Sequence, residues 1–403
     1  MRGPLWPLTA RGTVLFLAGL VITVVGLRIG LDAVVFAGVV LALLVLSCLA
    51  VVWFGGAAGA VQHRVSPDVS AVGEKIEVAA MWSPGAAPAG LTRWSEHVPA
   101  GLAGRADGIV TRADQRIDRV VIRYELTGST RGDHSVGPLR VGLVDALGLA
   151  RRMPTVGEAF SVLVGPEVHE LPSLSEAAGE SGGAHSAMSP RAVEGADNLI
   201  ARPYVPGDSL RRVHWRATAH RDELMVRQEE FESTPRATVI IDRVRQHETH
   251  RRSASADLET VLAGAISVVV RLVRDGYAVT LTDTSGSTLV ADIADEDGIR
   301  SALAVLARLQ SVHAAVRVAS MAAELGPVVL VTAGRVEAAV DATGSIAARS
   351  SLPVLLAVGA AASGIERAEA RGWRTGTVAA PGPAALRAGW AHAIGAEVTH
   401  GGA

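Results

Sequence analysis

Two long apolar runs near the amino terminus constrain this chain more than any other feature. Residues 13–29 read TVLFLAGLVITVVGLRI and residues 33–54 read AVVFAGVVLALLVLSCLAVVWF. A hydrocarbon core about 30 Å thick needs roughly 20 mostly apolar residues in helical form, so the second run crosses comfortably and the first lies near the lower limit. Arg28, at the end of the first run, has a stem long enough to snorkel, and Arg28, Gly30 and Asp32 make a tight turn between the spans. A cleaved signal peptide fits the pattern less well, because no clean small-residue cleavage site separates the runs and the second would still span. Residues 1–60 therefore read as a membrane anchor, a hairpin of two transmembrane helices over about 13–29 and 33–54.

Arg2 and Arg11 precede the first run and Arg64 follows the second, while the turn offers Arg28 alone beside Asp32. The positive-inside tendency then places both ends in the cytoplasm. Trp6 and Trp53 suit interfacial positions on that side. The expectation is a multi-pass protein of the cell's inner (plasma) membrane, with the bilayer as partner of the hairpin and the large carboxyl-terminal region cytoplasmic. A single span with an inverted soluble part is the competing topology.

The rest of the 403 residues is too long for one core. The formal charge is -2, from 38 Lys and Arg against 40 Asp and Glu, so no overall field draws the chain to nucleic acid, and no nucleic-acid partner is expected. The lone cysteine, Cys48, lies in the second apolar run, which removes disulfide and multi-cysteine metal chemistry from the soluble part.

Over residues 61–168 short segments rich in Val and Ile alternate with Gly, Pro and Asp, as in Lys75–Met81, Arg119–Leu126, Leu139–Val144 and Ala159–Val164. That pattern predicts a β-rich, sandwich-like domain of antiparallel strands. Residues 169–200, a Ser, Gly, Ala and Glu mixture, read as a flexible linker. From residue 236 to 403 strands alternate with helical patterns: 237–241, 277–282, 327–331 and 352–358 as strands, 257–275 and 296–312 as helices. This predicts an α/β unit with a mostly parallel sheet. The overall fold class is thus α+β and multidomain.

Between them, residues 201–235 are rich in arginine. Pro206-Gly207-Asp208 is a turn, with Asp208 placed to cap a helical turn over 211–215, and Trp215 is expected to point inward and pin the segment to a core. Arg202, Arg211, Arg212, Arg216, Arg221 and Arg227 face as many carboxylates, Asp208, Asp222, Glu223, Glu229, Glu230 and Glu232. One-for-one matching favours an internal lattice of bidentate pairs over a ligand surface. His214 and His220 read as packing or hydrogen-bonding residues.

The pattern Arg202-x-Tyr204-x-x-Gly207-Asp208-x-x-Arg211-x-x-x-Trp215 resembles the signature of the family called domain of unknown function 58. So does Arg131-Gly132 through Gly137-Pro138 to Asp145-Ala146-Leu147-Gly148-Leu149, although His134 and Ala146 stand where the family pattern has an aromatic residue and a proline. The resemblance implies a membrane-anchored protein with a β-rich region and a von Willebrand factor A-like unit. Such proteins are commonly encoded beside MoxR-type AAA+ ATPases, and their activity is unsettled.

The von Willebrand factor A-like resemblance implies an Asp-x-Ser-x-Ser cation site after the first strand of that unit, a threonine from a later loop and an aspartate after the central strand. Here Asp242-Arg243-Val244-Arg245-Gln246 keeps only the aspartate, and Thr332-Ala333-Gly334 puts Ala333 where a ligand would stand. The literal string Asp283-Thr-Ser285-Gly-Ser287 lies between two strands and reads as a polar turn rather than a metal site. His247-Glu-Thr-His250 is not a zinc-binding arrangement, no phosphate-cradling loop occurs, and no nucleophile elbow marks a triad.

The expectation is an adaptor without catalytic residues, cofactor or metal, binding protein partners such as a MoxR-type ATPase. Arg202, Tyr204, Gly207, Asp208, Arg211 and Trp215 are its structural or docking motif. Two alternatives stay open: an enzyme or nucleotide-binding protein built on residues 202–227, and a cation-dependent binding domain using Asp283, Ser285 and Ser287.

Overall fold

The computed structural model describes residues 7–54, 59–84, 91–110, 119–175, 199–204, 215–221, 223–229, 234–243, 251–311, 326–334 and 336–396. It divides into two compact units, one of residues 1–168 with 300–310, the other of residues 169–299 with 311–403.

The first unit opens with helices α1 (Ala10–Ile29) and α2 (Asp32–Phe54). The Thr9 hydroxyl caps α1 by accepting from the Gly12 N–H, and Gly30, in the left-handed region at φ 77°, ends it. The buried positions of α1 are Gly12, Gly19 and Gly26, seven residues apart; Gly19 and Gly26 face α2, and Gly12 faces the Leu149 backbone. At the crossing Gly19 faces Gly38: a Cβ on Gly19 would lie 3.0 Å from the Gly38 carbonyl oxygen. Helices in lipid gain nothing by hiding apolar surface from lipid, and small residues that let backbones approach supply van der Waals contact instead. Val14, Leu17, Leu20, Val21, Phe36, Leu43 and Val51 all project outward. Only 17% of either apolar window is buried, which a soluble core helix could not sustain; the two helices are long and apolar enough to cross a membrane.

The base of this hairpin is stitched to the β-rich part of the same unit. Leu8 bridges Ala150, the Thr9 N–H donates to the Leu149 carbonyl at 2.8 Å and the Arg151 N–H donates to the Pro7 carbonyl at 2.7 Å. Arg152 donates to the Trp53 carbonyl at 2.7 Å and lies over the Trp53 ring.

Twelve strands follow among the described residues: β1 (Gly59–Ser66), β2 (Val69–Ala71), β3 (Lys75–Pro84), β4 (Leu91–Ser95), β5 (Leu102–Gly104), β6 (Asp107–Ile109), β7 (Val120–Gly128), β8 (Gly132–Val136), β9 (Leu139–Val144), β10 (Arg151–Arg152), β11 (Thr155–Val156) and β12 (Phe160–Gly165). They form sheets ordered β1-β3-β7-β5, β10-β9-β4-β6 with β11 also on β9, and β2-β12-β8. Every pairing is antiparallel except β2 with β12. In β7 Val120, Ile122, Tyr124 and Leu126 turn inward while Arg123 and Glu125 face out, the period-two pattern of a strand buried on one face. Their partners in a common core include Ile76, Val78, Trp82, Trp94, Leu139 and Val141.

The second unit contains a two-stranded ladder, β13 (Leu199–Pro203) with β14 (Met225–Glu229), and helix α3 (Trp215–Arg221). Its main body is a sheet of β15 (Arg236–Ile241), β16 (Ala278–Asp283), β17 (Thr288–Ile293), β18 (Pro327–Ala333), β19 (Leu352–Val358) and β20 (Arg374–Val378). The order is β17-β16-β15-β18-β19-β20, parallel throughout except for the antiparallel edge strand β17. That is a doubly wound sheet whose strand order reverses between β15 and β18. On one face α6 (Val336–Ala347) and α7 (Ala362–Ala370) share a core with Ile240, Val328, Leu330 and Leu355. On the other lie α4 (Arg251–Arg274) and α8 (Pro383–Ile394), close enough that a Cβ on Gly264 would touch Leu386 and Val331. Helix α5 (Glu296–Arg308) follows β17, its residues from Arg300 onward counted with the first unit.

The linker expected over 169–200 does not start loose. Leu171 is buried, the His169 N–H donates to the Ser267 hydroxyl at 2.9 Å, and the Trp390 indole donates to the Pro172 carbonyl at 2.8 Å. A composition averaged over the window hides this short Leu-Pro anchor; residues 176–198 lie outside the described residues.

Candidate functional site

In doubly wound sheets ligands bind beyond the carboxyl ends of the strands, where the order reverses. Asp242 and Arg243 after β15 and Thr332 near the end of β18 flank that reversal, and one strand over lie Asp283 and Thr284 at the end of β16, with Ser285 and Ser287 in the turn to β17. Parallel pairing sets Ile241 opposite Asp283, so Asp242 lies one step beyond it on the neighbouring strand. Asp242, Asp283, Thr284 and Thr332 are all buried.

Each carboxylate is held from inside the unit. The Thr332 hydroxyl donates to Asp242 Oδ2 at 2.8 Å, and Thr284 makes a longer contact of 3.4 Å to Oδ1. Asp283 Oδ1 accepts from the backbone N–H groups of Ser285 at 2.9 Å and Ser287 at 3.0 Å and from the Ser285 hydroxyl at 2.5 Å. Its other oxygen accepts from Arg243 Nε at 2.9 Å and Nη2 at 2.6 Å. Burial by itself pushes the Asp283 carboxyl up; the donors from Ser285, Arg243 and Ser287, with the guanidinium charge, more than offset it and hold the group below the usual carboxylate value. The Asp283–Ser287 string is the hairpin turn between β16 and β17, closed by Gly286 at φ 86°. Among the described residues no cluster of three His, Cys, Asp or Glu is placed to share a metal ion. Ala333 ends β18 without a coordinating group, and Val244 and Gln246 lie outside the described residues.

The arginine-rich motif is described only in part. Arg202 pairs with Val226 across β13 and β14, and the Tyr204 N–H donates to the Leu224 carbonyl at 2.7 Å. Gly207, Asp208 and Arg211, and with them the expected lattice, fall outside the described residues. Trp215 opens α3, but it does not point inward: it is 72% exposed. The buried anchor of this segment is Met225, whose N–H donates to the Thr218 hydroxyl at 3.0 Å.

In the first unit the other motif residues close loops. Arg131 donates to the carbonyls of Leu306, Ala307 and Leu309, at and just beyond the end of α5. Asp145 accepts from the N–H groups of Leu147 at 2.8 Å and Ala150 at 2.5 Å. Burial raises its carboxyl, and those backbone donors, Ala150 first, bring it below the usual value.

One group escapes sequence reasoning altogether. Glu96 is buried, with His63 Nε2 2.9 Å from Oε1 and the Tyr124 hydroxyl donating to Oε2. Burial, then Glu96, pushes the Tyr124 phenol well above its ordinary value. His63 stacks on Phe160. The available signal was Trp94 and Glu96 two residues apart, hence on one face of an extended segment, but only the tertiary partners show that the face is inward.

No curated protein matches the chain. Solved structures similar to parts of it include a non-cellulosomal cohesin from the hyperthermophilic archaeon Archaeoglobus fulgidus, at 10% identity over 26% of this chain and 91% of that one, TM-score 0.18. The cupredoxin domain of amoB from Nitrosocaldus yellowstonii is similar at 10% identity over 29% of this chain and 94% of that one, TM-score 0.19. Likenesses this slight carry no argument about the chain. Residues 200–375, from the start of the arginine-rich motif into β20, match the family model described as protein of unknown function DUF58.

Proposed function

We propose that this chain is a membrane-anchored adaptor: the helical hairpin spans the inner membrane twice, both soluble regions face the cytoplasm, and the carboxyl-terminal unit, von Willebrand factor A-like in architecture, binds protein partners. A AAA+ ATPase of MoxR type is the partner the resemblance nominates. The observation that carries a binding rather than a catalytic reading is the state of the strand ends. The carboxylates where such a sheet would hold a ligand already have their donors within the unit, which suits a rigid recognition scaffold. The β-rich region, sandwich-like in this reading, would hold the recognition unit at the membrane surface.

Trp215 supplies a contact point. It is the one large aromatic side chain exposed outside the hairpin among the described residues, and tryptophan dominates the energetic centres of protein interfaces. The test is affinity capture of the full chain from detergent extract of its own cells. Enrichment of an ATPase, reduced at least ~tenfold by Trp215→Ala in keeping with a centre worth about 2 kcal/mol, is the expected result. Recovery of no ATPase or envelope protein above background would remove the adaptor reading. Orientation is tested separately by reporter fusions at the carboxyl terminus that work only in the cytoplasm or only outside it.

A further inference from the structure

Arg243 stands beside the oxygen groups at the ends of β15, β16 and β18 and donates twice to Asp283. We propose that Arg243 is the resident cation of the strand-end site, closing it to Mg²⁺ so that binding by this unit is independent of divalent metal. The argument rests on the geometry of β15, β16 and β18, and it holds for any partner the unit takes.

The oxygen groups are present. Asp283, Ser285 and Ser287 share one turn, with the two serine hydroxyls 3.1 Å apart, and Asp242, Thr284 and Thr332 lie on the adjoining strand ends. Magnesium is held by one or two carboxylates with hydroxyls and waters in a tight octahedron, about 2.0–2.1 Å from each oxygen. A carboxylate offers roughly four acceptor positions. On Asp283 three donors from the turn take Oδ1, and two from the guanidinium take Oδ2. None is left for an ion, and a metal at Oδ2 would have to displace a fork seated at 2.6 and 2.9 Å. The guanidinium is only 21% exposed and its aspartate 1%, so water does little to screen the pair. The residues thus disagree with the cation site that the von Willebrand factor A-like resemblance implies: Val244, Gln246 and Ala333 lack its ligand oxygens, and Arg243 occupies the neighbouring carboxylate of Asp283.

The experiment uses the full chain in detergent, with Mn²⁺ as an electron-paramagnetic probe and thermal unfolding in EDTA or MgCl₂. Wild-type protein should retain no Mn²⁺ through this site and show the same midpoint in both buffers. Arg243→Ser should take up one Mn²⁺ and unfold at a higher temperature in MgCl₂ than in EDTA, and adding Asp283→Asn should abolish both effects. Where the serine variant does not fold, Arg243→Ala, which likewise leaves Asp283 Oδ2 open, gives the same readout. Mn²⁺ bound by wild-type protein and lost with Asp283→Asn would overturn the proposal, as would a folded, uncharged variant that takes up no ion. Partner capture plays no part in this readout, so its failure is distinguishable from failure of the adaptor reading.

Discussion

Asp145 and Asp283 are both buried, each opens a tight turn, and each is held below the usual carboxylate value; they differ in what answers the charge. Around Asp145 the donors are the N–H groups of Leu147 and Ala150 in its own loop, joined by the Cys48 thiol, so neutral dipoles carry the anion. Around Asp283 comparable backbone donors are joined by a guanidinium from another strand. The first arrangement uses neutral donors only and shapes a loop at the base of the hairpin. The second ties two parallel strands together at the place where the sheet would receive a ligand.

Removing the counter-ion should therefore have the largest effect. Arg243→Ala leaves a buried carboxylate without its partner, which typically costs about 3–5 kcal/mol. Amide exchange along β15 and β16 should accelerate in proportion, while exchange in β9 stays unchanged. The double variant Arg243→Gln/Asp283→Asn replaces the ion pair with a neutral one and should restore most of the protection; no restoration would mean that packing, not charge, holds the turn.

Asp145→Ala should come next. It strips acceptors from two N–H groups of one loop, each worth about 1–3 kcal/mol when left buried and unpaired, part of it returned by water at this edge. Faster exchange at Leu147 and Ala150 would report it. Equal loss along β15 would break the contrast between a neutral network and a tie between strands.

Acid treats the two alike. Both folded values lie below that of an unfolded aspartate, about 3.9. Each group therefore contributes stability that is fully present above that value and is lost as pH falls through the folded one. Asp283→Asn and Asp145→Asn should each flatten the acid limb of the unfolding midpoint and leave the neutral region parallel to wild type. A steeper acid limb in either variant would contradict the sign.

Much of this contrast was legible in the residues, and its missing part has a physical cause. The hairpin, the strands 75–81, 139–144 and 352–358 and the alternation of the second unit follow from periodicity, which is a property of neighbours in sequence. The partners of Arg243 follow from strand register: it lies 40 residues from Asp283 and meets it only because β15 and β16 run parallel with Ile241 opposite Asp283. The charge near Asp242 was visible, but the arginine answers the other aspartate. Trp215 failed for a related reason: a seven-residue helix has no face wide enough to dictate burial, and the buried side chain here is Met225, on the strand that follows. Glu96 carried no signal beyond its spacing from Trp94, because the meaning of a buried carboxylate lies in His63 and Tyr124, both distant in sequence.

The smallest effect sharpens the comparison most. Thr332 is fully buried and gives Asp242 its 2.8 Å hydrogen bond from β18. Thr332→Val keeps the β-branched shape that suits a central strand and removes only the donor, which for a charged acceptor is worth about 1.5–3 kcal/mol, the lower end applying where Thr284 and other groups share the load. If the strand ends form one coupled site, the loss in Thr332→Val combined with Arg243→Ala will differ from the sum of the single losses by more than ~0.5 kcal/mol. Simple additivity would mean that Asp242 and Asp283, though on adjacent strands, answer to separate networks, and that the arginine governs its own turn alone.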